Sequence, residues 1–320
     1  MRPSLIKALF LLLFSLLAIP VGAADFPARP VRLIVPFPPG GPLDIVGRVI
    51  GRKLSEQWGQ PVVIDNRGGA SGAIGTDLLA KSAPDGYTLA VNSTPLVATP
   101  HLQKLQYDTL RDLVGVSQIA LIDYVLVANS KSGVGSVEEL IALARKQPGK
   151  LNYGSAGTGS GQHLFFELMK GTSGASINHI PYKGAAAAVQ AVLAGEVDFM
   201  FEVSVGVLPQ IRAGTLRPLL VTGAKPIDAL PGVPAFDSVF PGVGIEAWHG
   251  VFAPAATPKP LLDQISLEIR KAVLSPEVSA RLRELGFQPT GLAYPRFNEV
   301  VARDLERWGK VIRENNIRAD

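Results

Sequence analysis

Cysteine is absent from the 320 residues, so neither a disulfide framework nor a nucleophilic thiol can belong to this protein. The G-x-S-x-G turn of the α/β-hydrolases is also missing. Histidine is scarce, and the four residues are His101, His163, His179 and His249. They lack the H-E-x-x-H or H-x-H spacing that is typical of zinc sites. These absences exclude cysteine catalysis, and we predict neither a metal nor a cofactor.

Long apolar runs are confined to the N-terminus. Arg2 and Lys7 precede a run from Ala8 to Ile19 whose only polar residue is Ser15, and a Val-Gly-Ala sequence follows. A basic start, an apolar run too short for a membrane span and small residues at its end are typical of an export signal. We therefore predict a cleaved signal peptide over residues 1–24 and a periplasmic mature protein, with an uncleaved membrane anchor as the alternative. Because no cysteine follows the run, a lipid anchor is excluded.

An excess of one charge is also lacking. The chain has 31 basic and 27 acidic residues, and its net charge of +4 falls to +2 if Arg2 and Lys7 leave with the signal peptide. The basic residues are scattered, so we predict no binding of nucleic acid. Hydrophobic residues make up 47% of the chain and charged residues 18%, which favours a folded protein with a large core over a disordered one.

Short β-rich runs alternate with helical patterns along the rest of the chain. In the first half, strands are predicted over 31–37, 61–65 and 87–92, and helices over 44–58 and 73–83. The series restarts with strands over 124–128, 151–153, 177–181, 197–201 and 218–222, and helices over 136–146, 160–170 and 185–194. Amphipathic helices then run to the C-terminus. This order favours two α/β units whose sheets are parallel and covered by helices on both faces.

Loops that leave the strands are the candidate sites, because ligands of open α/β sheets bind beyond the carboxyl ends of the strands. The first loop, over 36–44, has two adjacent glycines that let the backbone approach a ligand. It leads into a helix start, where free N–H groups favour an anion. The alternative is a plain strand-to-helix turn. The candidate binding residues are Phe37, Pro39, Gly40, Gly41 and Asp44, the last as N-cap or first-turn acid.

A second glycine-rich loop, over 154–163, also joins a predicted strand to a helix. It matches neither G-x-x-x-x-G-K-[ST] nor G-x-G-x-x-G, and few basic residues lie nearby to balance a phosphate, so a carboxylate is the favoured ligand. Its candidate binding residues are Ser155, Ala156, Gly157, Thr158, Gly159 and His163. For His163, packing or orientation of the loop is the alternative role.

Three further polar residues stand at strand ends. Ser93 and Thr94 either contact the far end of a ligand or only cap a turn. Glu202 is either a ligand-reading acid, facing Asp44 across a cleft, or an ordinary strand-end acid. The glycine-rich loop over 66–72 is interpreted as a solvated loop, with close packing and attraction of an anion by Arg67 as the alternatives.

Several segments carry a family likeness from about Phe26 to the C-terminus. RPVRLIVPFPPGGPLD, GQPVVIDNRGGASG, PGKLNYGSAGTGSGQHL and HIPYKG occur in this order. The chain resembles the Bug-type substrate-binding receptors of tripartite tricarboxylate transporters. The resemblance implies two doubly wound α/β domains with a ligand cleft and hinge between them, like type 2 periplasmic binding proteins. It implies a discontinuous first domain, 25–122 plus 222–320, and a second domain over 123–221.

The resemblance also implies that the loops at 37–44 and 155–163 hold a ligand carboxylate from opposite domains. Two positions depart from the family pattern. Leu43 replaces a frequent hydroxyl residue and Glu202 a frequent aspartate. Because Glu202 would repel a second carboxylate beside it, we expect amino-bearing or monocarboxylate ligands rather than tricarboxylates.

The function predicted from these observations is that of an extracytoplasmic solute receptor, monomeric and not an enzyme. It would bind a small organic carboxylate, such as a dicarboxylate, amino acid or aromatic acid, and deliver it to the permease subunits of a tripartite transporter. One alternative is an exported enzyme on the same fold, with Asp44, His163 and Glu202 as its candidate acids and bases. A ligand sensor for a signalling partner and a ligand-free interaction module are the others.

Overall fold

The structure is a computed structural model that describes residues 26–223, 225–227 and 229–318. The predicted signal peptide lies outside these residues. In chain order the strands are β1 (Val31–Val35), β2 (Val62–Asn66), β3 (Thr88–Ser93), β4 (Leu113–Ile122), β5 (Tyr124–Asn129), β6 (Asn152–Ser155), β7 (Asn178–Pro181), β8 (Phe199–Val203), β9 (Leu216–Val221), β10 (Ala247–Pro254) and β11 (Phe287–Ala293). The helices are α1 (Pro42–Trp58), α2 (Ala73–Ala80), α3 (Pro95–Ala98), α4 (Val137–Lys146), α5 (Gly161–Ser173), α6 (Ala185–Ala194), α7 (Ser204–Arg212), α8 (Phe236–Val239), α9 (Lys259–Leu274), α10 (Pro276–Glu284) and α11 (Arg296–Glu314).

The strands form two sheets, with the orders β11-β4-β10-β3-β1-β2 and β7-β6-β8-β5-β9. Helices pack on both, so the predicted α/β class with two doubly wound units is confirmed. The prediction of parallel sheets is wrong in part. β1 pairs in parallel with β2 and β3, and β6 with β7 and β8. However, β10 runs antiparallel to β3 and β4, and β5 runs antiparallel to β8 and β9.

The antiparallel strands arise where the chain crosses between the sheets. β4 of the first sheet continues into β5 of the second through Asp123, and the chain returns to the first sheet at β10. The buried Asp123 accepts a hydrogen bond from Gln288 Nε2 at 2.8 Å, while its carbonyl accepts from Ser204 N at 3.0 Å. The predicted domain boundaries, 122/123 and 221/222, fall at these crossings and stay predictions.

Local chemistry sets the bounds of the elements beside the candidate loops. β1 ends at Val35 rather than at residue 37 because Pro36 has no N–H for the ladder. α1 begins two residues earlier than predicted, since Pro42 has the backbone angle of a first helical residue. Gly41 is therefore the N-cap, and Asp44 is an acid of the first turn.

The C-terminal helix α11 packs against both units. Trp248 of β10 lies edge-on to Phe297 of this helix, with ring centroids 5.3 Å apart, and donates to Asp304 at 2.9 Å. At the other end of α11, the buried Trp308 lies edge-on to Phe165 of α5, with centroids 5.6 Å apart. A single helix thus ties the first sheet to a helix of the second.

Candidate functional site

The first loop is closed on itself by Asp44. Its buried carboxylate accepts hydrogen bonds from Gly40 N, Arg48 Nε and Asn66 Nδ2, each at 2.9 Å. Burial raises the pKa of Asp44, but these donors together outweigh it and leave the pKa below its usual value. Asn66 also donates to the carbonyl of Phe37 at 3.1 Å. Asp44 therefore shapes the loop with its side chain.

Backbone donors remain at the start of α1. Its N-cap, Gly41, supplies no side-chain hydrogen bond to the first turn, and helix N-terminal N–H groups with no such partner suit an anion. Pro39 and Gly40 are exposed, and Phe37 is half-buried. The first loop thus offers an open backbone surface, as the sequence predicts for an anion site.

The second loop turns at two glycines with positive φ. Gly157 and Gly159 have φ of 121° and 78°, which a residue with a side chain rarely adopts. Gly157 N donates to Ser155 Oγ at 3.1 Å, and Gly159 N donates to His163 Nδ1 at 3.2 Å. His163 therefore orients the loop from the first turn of α5, in agreement with the role that the sequence leaves open.

The loop over 66–72 contacts both of the other loops. A side chain on Gly72 would meet the Phe37 ring at 3.2 Å, so this loop packs directly against the first one. Ser71 Oγ donates to the carbonyl of Thr158, and Gly159 lies against the same serine. The interpretation of 66–72 as a solvated loop is therefore wrong at Ser71, which is half-buried in a contact between the two units.

The strand-end candidates are more enclosed than predicted. Ser93 is buried, and the buried Thr94 accepts the backbone N–H of Trp248 at 3.3 Å. Ala156 is half-buried in the second loop. The hydroxyl of Thr94 thus accepts a backbone hydrogen bond at the start of β10 and does not cap its own turn. A ligand contact for Ser93 stays a prediction.

Glu202 is buried on β8 beneath the second loop. Its carboxylate accepts from Gln162 Nε2 at 3.0 Å and from Val203 N at 2.8 Å. Burial raises its pKa to about 7, because these two donors offset only part of the lost hydration. With both oxygens held by protein donors, Glu202 braces the first turn of α5 through Gln162.

Histidines line the back of the second loop. Ser155 Oγ lies 2.6 Å from His179 Nε2 of β7. The His179 ring stacks on Tyr153 at a centroid distance of 4.9 Å, and the tilted His163 ring lies 4.4 Å from it on centroids. His249 lies elsewhere, in β10, where burial lowers its pKa to about 3 and keeps it neutral.

No three metal-binding side chains come together within the part of the chain that the structure describes. None of the helices described there is long and apolar enough to cross a membrane.

Two α/β units joined by crossing strands, with glycine-rich backbone loops meeting between them, are the architecture of two-domain solute-binding proteins. The description "Tripartite tricarboxylate transporter family receptor" belongs to the family model that matches residues 46–317. The match covers most of the chain, which therefore belongs to this family. It confirms the resemblance to Bug-type receptors.

Relatives with curated sequences agree with this assignment. The chain is 38% identical over 302 residues to Protein BugT of Bordetella pertussis, covering 93% of each chain. Solved structures are also similar. Rpa4515 of R. palustris with adipate has a TM-score of 0.86 and 35% identity, over 92% of this chain and 99% of that one. MatC of Rhodopseudomonas palustris with bound malate has a TM-score of 0.81 and 29% identity, over 90% of this chain and 100% of that one.

Proposed function

We propose that this receptor binds a small organic carboxylate, with dicarboxylates first among the candidates, between the loops at 37–44 and 155–163. The observation that carries the proposal is the contact of the three loops: 66–72 packs on Phe37 and bonds to Thr158. The loops flank a helix start with no side-chain cap. A carboxylate that accepts N–H groups from both units would hold them together.

The relatives support the ligand class. Two similar structures contain adipate and malate, which are both dicarboxylates. Glu202 would favour monocarboxylate or amino-bearing ligands only if its carboxylate were free to face the ligand. Since Gln162 and Val203 occupy that carboxylate, Glu202 gives little reason to disfavour a second ligand carboxylate.

Binding without catalysis is the second part of the proposal. Every acid or base considered for an exported enzyme accepts hydrogen bonds from other groups of the protein. Asp44 accepts three donors, Glu202 accepts two, and His163 Nδ1 accepts Gly159 N. Groups used in this way shape a site rather than transfer protons to a substrate.

Location and partner follow from the family. We propose that the protein works in the periplasm and that its ligand-bound form delivers the carboxylate to the membrane components of a tripartite transporter. A ligand selects or induces the closed form only through its differential affinity for it. The closed form is then the one that a membrane partner would recognise.

A melting-temperature screen tests the proposal. The protein without its predicted signal peptide is unfolded, refolded to remove any trapped ligand, and heated with adipate, malate, citrate, aspartate or benzoate. A ligand at about 100 times its Kd adds roughly 2.7 kcal/mol of stability, so a saturable rise is expected for at least one dicarboxylate. A diamine of the same chain length as adipate is the matched control and is expected to do nothing. No shift with any carboxylate would contradict the proposed function.

A further inference from the structure

His179 contacts the second loop through the hydroxyl group of Ser155. Its Nε2 lies 2.6 Å from Ser155 Oγ, and the same oxygen accepts the N–H of Gly157 at 3.1 Å. Ser155 is fully buried, whereas His179 is half-buried on β7 at the edge of the sheet. A change in the protonation of His179 therefore reaches the loop backbone through a single side chain.

The two neighbouring histidines, His163 and His179, differ in how easily they take a proton. His163 Nδ1 accepts the N–H of Gly159 at 3.2 Å, so a proton there would set two donors against each other and break a buried hydrogen bond. His179 Nε2 faces a hydroxyl, which can turn from donor to acceptor. With ring centroids 4.4 Å apart, the pair resists a double charge. By this geometry, a proton added to the pair is better accommodated on His179 than on His163 Nδ1.

Protonation changes what Ser155 can do. When His179 is neutral with Nε2 as acceptor, the Ser155 hydroxyl donates to it. When His179 is protonated, Ser155 Oγ accepts from both His179 and Gly157. The loop gains a positive charge behind it. This charge favours an anion held by the loop.

We propose that His179 is a positioning residue that couples carboxylate binding to the uptake of a proton, acting through Ser155 on the loop over 155–163. This inference rests on the proposed function, since it needs a carboxylate in that site. Binding strengthens as the pH falls through the range where histidine titrates.

Titratable and polar groups near His179 are the ones from which the experiment must separate it. From β6 come Tyr153 and Ser155, and from α5 comes His163. The hydroxyl of Tyr153 donates to Glu167 at 2.6 Å, and Glu167 also accepts from Lys170 at 2.6 Å. That carboxylate is already paired with a cation. Glu202, with a pKa near 7, is the group of the same unit that the experiment must separate from His179.

Calorimetry of the refolded protein with adipate or malate tests the coupling. Titrations at about pH 6 and about pH 8, in two buffers of different ionisation enthalpy, give the Kd and the protons taken up. We expect binding about three- to tenfold tighter at the lower pH, and uptake of up to about one proton per ligand. His179→Gln, whose amide can still bond to Ser155, should bind ligand with no uptake and a flat pH profile. His101→Gln, at an exposed histidine bonded to the Leu305 carbonyl, should behave like the wild type.

Several results would overturn the inference. Binding without proton uptake would do so while leaving the proposed function intact, and so would a linkage that survives His179→Gln but disappears in Glu202→Gln. If His179→Gln does not fold, ¹⁵N spectra of the wild-type imidazoles decide: His179 must gain a proton on binding, and His163 Nδ1 must remain unprotonated. A failure of every carboxylate to bind at either pH would overturn both proposals.

Discussion

Replacing Glu202 with glutamine should destabilise the protein at low pH and stabilise it at high pH. The side chain is buried and accepts two hydrogen bonds, yet its pKa is raised to about 7. The unfolded chain titrates near 4.5. Because the folded state binds this proton more tightly than the unfolded state, the wild-type protein loses stability as the pH rises from about 4.5 to above 7.

The magnitude follows from the difference between the two pKa values. At 1.36 kcal/mol for each pKa unit, the ionised Glu202 costs the folded state about 3 kcal/mol above pH 7 and almost nothing below about pH 4.5. Glutamine has no such charge, but it offers one oxygen where the carboxylate offers two, at a pH-independent loss of about 1 kcal/mol. Glu202→Gln should therefore be less stable than the wild type at pH 5 and more stable at pH 8.5.

Urea unfolding at about pH 5, 6, 7 and 8.5 measures this difference directly. The free energy of unfolding of the variant, minus that of the wild type, should rise by about 2–3 kcal/mol across the series. Glu284→Gln, at an exposed helix position, is the matched control and should show almost no trend. A difference for Glu202→Gln that stays constant within about 0.5 kcal/mol would refute the reasoning about burial.

Three other changes probe the loops. Ser71→Ala removes the hydrogen bond to the Thr158 carbonyl and should weaken carboxylate binding about fivefold in calorimetry. Gly161→Ala would place Cβ 2.2 Å from the Tyr124 hydroxyl and should lower the free energy of unfolding by about 1–3 kcal/mol in urea. Asp44→Asn places an amide N–H₂ against groups that donate to the Asp44 carboxylate. It should lower the free energy of unfolding by about 1–2 kcal/mol at pH 7. Since the folded pKa of Asp44 is lowered, that difference should vanish as the pH falls below it.

Each of these expectations has a clear opposite. Unchanged affinity in Ser71→Ala would mean that the contact between the loops does not form in the bound state. Wild-type stability in Gly161→Ala would mean that Tyr124 moves aside freely. An Asp44→Asn difference that persists in acid would show that the loss is one of shape rather than of charge.

Local patterns predicted much of the fold. The strand from Val31 and the small-residue helix over 185–194 follow from apolar runs, proline and glycine near their ends. The pairing of distant strands does not. β10 lies antiparallel to β4, with Ala247 opposite Ile122, and no short-range signal in the sequence marks this pairing. The strands β4 and β11 were not predicted at all.

The candidate site was predictable as loops but not as contacts. Glycines beyond strand ends mark 37–44 and 155–163, because close backbone approach needs them. The role of Thr94 depends on Trp248, and that of Ser71 on Thr158. These partners are far apart in the chain, so only the folded arrangement reveals that one hydroxyl caps a strand and the other bridges the units. Likewise, the distance between His179 and Ser155 requires the pairing of β6 with β7.

The most direct test of the proposed function is a crystal structure of the refolded protein with the carboxylate that raises its melting temperature most. We expect one carboxylate group of the ligand to lie between the loops at 37–44 and 155–163 and to accept hydrogen bonds from backbone N–H groups of both. Ser71 and Thr158 should be in contact in that structure. A carboxylate bound elsewhere, or held by one unit alone, would contradict the proposed function.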